Sequence, residues 1–133
     1  MAGNMTTELL MLTLSVVLGF VHIIAGATSC TAQYGSKWNV GARDAQMPAL
    51  NPVAGRLQRA LHNFLETFPL FATLVLIADA ANRHGTLTVW GSELYFAARV
   101  LYLPIYAAGI PVVRSIVWAA ASLGIFMVLV ALF

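Results

Sequence analysis

Arg59, His62, Asn63 and Glu66 stand at i, i+3, i+4 and i+7 along Arg56-Leu57-Gln58-Arg59-Ala60-Leu61-His62-Asn63-Phe64-Leu65-Glu66-Thr67. On a helix that spacing puts them on one face. Arg59 and Glu66 are then about 10.5 Å apart along the axis at 1.5 Å per residue, so they need partners on other helices. A second set, Arg99, Tyr102 and Tyr106, repeats at i, i+3 and i+7, and Arg114 follows at the start of the next apolar span. Guanidinium groups pair with carboxylates in a two-pronged geometry, and tyrosine hydroxyls can orient what the arginines hold. Converging, these residues would form a cationic, hydrogen-bonding pocket for an anionic molecule. The plainer readings are a polar network that fixes helix packing and, for Arg59 and Arg114, side chains reaching to a membrane interface. The second of these does not account for Glu66 or Arg99.

The elements that carry these residues are apolar. Of 133 residues, 60% are hydrophobic and 9% are charged, against roughly 25% charged in a soluble domain. So few charges cannot coat a water-exposed surface, and lipid must face the excess. A spanning helix needs about 20 mostly apolar residues, and four stretches provide them: about 9–30, 57–80, 88–108 and 112–133. A lipid-embedded backbone must satisfy its own hydrogen bonds, and spans of this length favour helices over barrel strands. The expected fold is an all-α membrane protein, one domain over residues 1–133, with four transmembrane helices running up and down.

Residues 34–56 form the long polar connection, 82–85 a tight turn, and Ala108-Gly109-Ile110-Pro111 a break before the last helix. Lys37, Arg43, Arg56 and Arg59 lie in or beside the first connection and Arg114 beside the third, with Arg83 alone in the second. The excess of basic residues makes the first and third loops cytoplasmic. The polar residues then fall in the inner half of the bilayer. The N-terminal residues before Glu8 carry no Lys or Arg, so the first span reads as a retained helix. Cys30 is a lone cysteine and is expected to be buried. His22 is expected in the core, and Arg83 and His84 in a solvated turn. Asp79, Glu93 and Trp90 are expected near the outer interface. The scattered His and Cys have no ligand spacing, so no metal site is expected. The net charge of +2 does not suggest a nucleic-acid partner.

The stretch from Arg56 through Phe68-Pro69-Leu70-Phe71 resembles the central motif of the MAPEG family, the membrane-associated proteins in eicosanoid and glutathione metabolism. Ala98-Arg99-Val100-Leu101-Tyr102, then Tyr106, then Arg114-Ser115 resemble its third-helix motif and the start of its fourth helix. The loop Trp38-Asn39-Val40-Gly41-Ala42-Arg43-Asp44 looks like bacterial members. The resemblance implies a homotrimer in a bacterial inner membrane, with glutathione bound between subunits as co-substrate. It also implies that Arg59, His62, Asn63, Glu66, Arg99, Tyr102 and Tyr106 bind glutathione and that Arg114 holds its thiol as thiolate. The implied activity is a microsomal-type glutathione transferase or peroxidase acting on lipophilic electrophiles or hydroperoxides. The alternative is a non-catalytic membrane protein of the same fold that holds an anionic lipid or another thiol. A small four-helix exporter ranks last, because such proteins use a Glu embedded in the first helix, and here Glu8 stands at the segment's edge.

Overall fold

The computed structural model describes residues 3–133. Its helices in chain order are α1 Thr7–Tyr34, α2 Ser36–Val40, α3 Pro52–Ala80, α4 Thr86–Ala107 and α5 Pro111–Val130. By length and composition α1, α3 and α5 can each cross a membrane. α4 has 22 residues, enough to cross, but Ser92, Glu93 and Arg99 dilute its apolar character.

The helices begin and end where capping groups allow rather than where hydropathy changes. α3 starts five residues before its apolar run. The Asn51 side chain accepts from the Ala54 amide at 2.9 Å, and Pro52 occupies the first helical position, where its missing N–H leaves nothing unsatisfied. Thr6 caps α1 in the same way, accepting from Leu9 N. α1 runs on to Tyr34 and stops at Gly35, whose φ of 92° is left-handed, a conformation open to glycine without a Cβ clash. The short α2 has no counterpart in the sequence reading. It lies inside the polar connection, which Gln33 ties back to α1: its side chain donates to Ala49 O at 2.9 Å and accepts from Asn51 N at 2.7 Å.

Short turns at residues 81–85 and 108–110 make α3, α4 and α5 successively antiparallel. α4 packs most extensively on α5, and α1 packs on both α3 and α4. The α4–α5 crossing is close because Gly91 and Gly124 face each other there. A Cβ on Gly91 would meet Gly124 O at 2.7 Å, and one on Gly124 would meet Gly91 O at 2.6 Å. The apolar core comprises Phe71, Val75, Tyr95, Ala98 and Ala121. In it the Phe71 and Tyr95 rings stack at 4.1 Å between centroids, and the Tyr95 hydroxyl meets Thr67 Oγ1 at 3.1 Å.

At the end where α1 begins, Glu8 is 2% exposed. Its Oε1 accepts from Thr88 Oγ1 at 2.6 Å and lies 3.2 Å from His84 Nδ1, while His84 Nε2 lies 3.7 Å from Asp79. His84 is therefore not only a solvated turn residue: it joins the ends of α1 and α3. His22 is buried, sharing a hydrogen bond with Leu18 O, and Cys30 is buried.

Candidate functional site

α3 and α5 begin, and α4 finishes, at the opposite end of the bundle from Glu8. The first half of α3, the second half of α4 and the first turn of α5 thus share one layer, and the polar set lies there.

Arg99 is the innermost member, with 0% exposure. Its Nη1 donates to Asn63 Oδ1 at 2.7 Å. Its guanidinium carbon sits 4.2 Å from the Tyr102 ring centroid and 5.5 Å from that of Phe64. No carboxylate answers this charge among the described residues: both ion pairs centre on His84, and Arg99 Nε and Nη2 have no acceptor. The ring faces offset part of the desolvation. Arg99 stands behind Asn63 and Tyr102 and fixes the first of them. Asn63 and Tyr102, with Arg114, Ser115 and Trp118, line a cleft of about 160 Å³.

The second cluster lies closer to the helix ends. Arg59 Nε donates to the Tyr106 hydroxyl at 3.1 Å, and the Arg114 guanidinium lies over the Tyr106 ring at 4.8 Å. Tyr106 in turn meets Tyr102 edge-on at 5.5 Å. Arg56, Arg59, Tyr106 and Arg114 line a cleft of about 210 Å³ at the α4–α5 turn. Arg114 belongs to both clefts, so it sits between the helix-end arginines and the inner Asn63–Tyr102 surface. Such an arrangement can hold an anion at one end and put a fixed positive charge beside a group farther in.

Two of the sequence-selected residues point elsewhere within one chain. His62 is exposed and lines a separate cleft of about 530 Å³ with Cys30, Tyr34, Trp38, Arg43 and Gln58, against α1 and α2. Glu66 is exposed and borders an apolar groove of about 490 Å³ between α3 and α5, together with Leu70, Leu74, Phe126 and Leu129. One hundred degrees per residue separates His62 from Asn63, which is enough to turn them toward different neighbours. Trp118 borders both the groove and the polar cleft, so the two adjoin. Trp118 and Arg56 are site residues that the spacing argument passed over. In the sequence nothing sets Trp118 apart from the other tryptophans, and Arg56 is one more charge of the first connection.

Neither the comparison with curated proteins nor that with solved structures gives a match. The family comparison does: residues 11–133, nearly the whole chain, match the model of the MAPEG family. The match includes every residue of both clefts, and the chain belongs to the MAPEG family.

Proposed function

We propose that this protein is a glutathione-dependent membrane transferase or peroxidase, a homotrimer in which all four long helices, α4 included, cross the membrane. The observation that carries the reading is the junction at Trp118: a polar cleft containing Arg114 adjoins an apolar groove between α3 and α5. A thiol peptide is anionic and a lipophilic acceptor is not, so the reaction needs two such surfaces in contact.

In this reading Arg59 and Tyr106 receive the peptide near the helix ends, and Asn63 and Tyr102 hold it farther in. Arg114 sits beside the sulfur. A free thiol titrates near about pKa 8.5, and an adjacent cation lowers that value. An arginine stays protonated at neutral pH, so its charge is a constant of the site. The thiolate then attacks an electrophilic carbon, giving a thioether as a leaving group departs with its bonding pair or, on an activated alkene, as the resulting carbanion takes a proton. With a hydroperoxide it attacks the distal oxygen instead: the O–O bond breaks, the alkoxide takes a proton and leaves as the alcohol, and the sulfur is left as a sulfenic acid that a second glutathione converts to the disulfide with loss of water. The acceptor enters along the groove of Leu70, Leu74, Phe126 and Leu129.

Arg59, His62 and Glu66 support the trimer. All three are exposed on the isolated chain although α3 can span a membrane. An ionisable group facing lipid near mid-membrane costs at least roughly 2.5–3.5 kcal/mol on insertion scales. A neighbouring copy that covers this face removes that penalty, and glutathione between copies would let His62 and Glu66 of one face serve the site.

The test is ultraviolet difference absorption of the purified protein mixed with glutathione at neutral pH, beside Arg114→Leu. We expect a thiolate band in the wild type that the substitution abolishes. No band in the wild type, with folding and assembly intact, would overturn the reading and favour an anionic lipid or a different thiol as ligand.

A further inference from the structure

Arg56 is the member of the site that neither the spacing of the motif nor its chemistry singles out. Its side chain does not simply enter solvent. Nη1 donates to Ala107 O, the last residue of α4, at 3.2 Å. The final carbonyls of a helix have no intrahelical partner and carry the negative end of its dipole, so a guanidinium there is both hydrogen-bonded and favourably charged. Gly109 has φ +77°, and a Cβ on it would lie 2.8 Å from Arg56 Cζ and 3.0 Å and 3.1 Å from the two terminal nitrogens. All three guanidinium atoms are nearly equidistant from that point, so the planar group lies flat against the Gly109 backbone. Two residues later Pro111 opens α5, and Arg114 follows within its first turn.

We propose that Arg56 is a positioning residue for Arg114. It clamps the α4–α5 turn to α3, and so fixes where α5 starts and where the Arg114 guanidinium stands relative to Tyr106. The turn has only three residues, 108–110, between α4 and α5, so a displacement of Gly109 passes almost directly to α5. Arg59, one helical turn farther along α3, grips Tyr106 by its hydroxyl. Arg56 and Arg59 therefore hold the two flanks of the same junction, one through backbone and one through side chain. The consequence for chemistry rests on the thiol-activating role proposed above for Arg114. The clamp itself does not.

Two measurements separate these. The first is hydrogen exchange of the detergent-solubilised protein without glutathione, comparing wild type, Arg56→Gln and Gly109→Ala. We expect the Arg114 to Val117 amides to exchange at least about tenfold faster in both variants, as befits loss of a hydrogen bond to a charged group. The far-end amides around Thr88 should be unchanged. Unaltered exchange at Arg114 to Val117 in Arg56→Gln overturns the clamp, whatever the protein does with thiols. The second is the thiolate band at saturating glutathione. Positioning predicts a smaller band at saturation in both variants. A weaker affinity with a full-sized band at saturation would instead make Arg56 a direct ligand contact and overturn positioning. Arg56→Lys keeps the charge without the planar fork; full restoration of exchange and band by lysine would reduce the role to charge alone and also overturn the proposal. Absence of the band in the wild type counts against the transferase reading and leaves the exchange result to decide the clamp.

Discussion

Arg99 and Asn63 show how one side chain in this bundle depends on another. Arg99 is fully buried, and Asn63 supplies its only hydrogen bond among the described residues. Removing one partner of a buried charge-assisted bond leaves the charge uncompensated, whereas replacing the charge by an apolar chain of similar length can be nearly neutral. We therefore expect Asn63→Ala to destabilise the detergent-solubilised protein by about 1.5–3 kcal/mol and Arg99→Met by less, read as thermal unfolding midpoints. The reverse order would show that Arg99 has a stronger partner than Asn63 in the assembled protein. For Arg114→Leu the expected loss is chemical. The bound thiol returns toward its free value and only a few per cent is thiolate at neutral pH, with unchanged thermal stability. Much of this layer is legible in the sequence, because 3.6 residues per turn puts Arg59, Asn63 and Glu66 on one face of α3, and Arg99, Tyr102 and Tyr106 on one face of α4, once helices are assumed. Which of them touches the cleft is not legible. Arg99 and Asn63 are 36 positions apart, and only the packing of α4 on α3 decides that one stands in front of the other.

Helices as units are set by features that hydropathy does not register. The apolar runs locate α1, α3, α4 and α5, but Asn51-Pro52 extends α3 toward the site by a turn and so brings Arg56 onto a formed helix rather than a loop. α2 escapes a hydropathy reading because five residues carry no measurable period. The α4–α5 pair depends on two glycines at closest approach, where an added methyl meets backbone and nothing flexible can yield. Gly91→Ala or Gly124→Ala should destabilise by about 1–3 kcal/mol, the usual range for overpacking, and disturb the apolar groove along α5. The check is a lowered unfolding midpoint together with loss of lipophilic-acceptor turnover. Glu8 does comparable work at the far end, receiving Thr88 and lying beside His84 across 76 to 80 positions of chain. Glu8→Ala should free the start of α1, raising exchange of the Leu9 to Leu12 amides while leaving those of α5 unaffected. No local pattern announces such a pairing, since Glu8 and His84 each look like an ordinary terminal charge until the turn at residues 81–85 folds beside α1.

At the scale of the whole molecule, the trimer proposed above would place its contact on a face of α3 that one chain leaves exposed. α3 presents Arg59, His62 and Glu66 outward, and the exposed side chains around them, Leu65 at 50% and Leu70 at 59%, suit either lipid or another subunit. The charges favour a subunit in the proposed trimer: an apolar surface alone is content in lipid, but three ionisable or polar groups on the same face are not. In the proposed trimer an identical copy covers that face and shields the charges. Closed assemblies built this way use a heterologous contact, in which one patch meets a different patch and the ring closes by rotation. Under the proposed trimer, chemical crosslinking of the detergent-solubilised protein should give a ladder that ends at three copies. Glu66→Gln, which keeps a polar side chain on the face, should keep that ladder but weaken glutathione binding, whereas Glu66→Leu, which makes the face lipid-compatible, should keep the fold and shift the ladder toward monomer. A wild-type ladder that ends at dimer would mean that a two-fold contact covers α3, and His62 and Glu66 would then face their own counterparts instead of a second cleft.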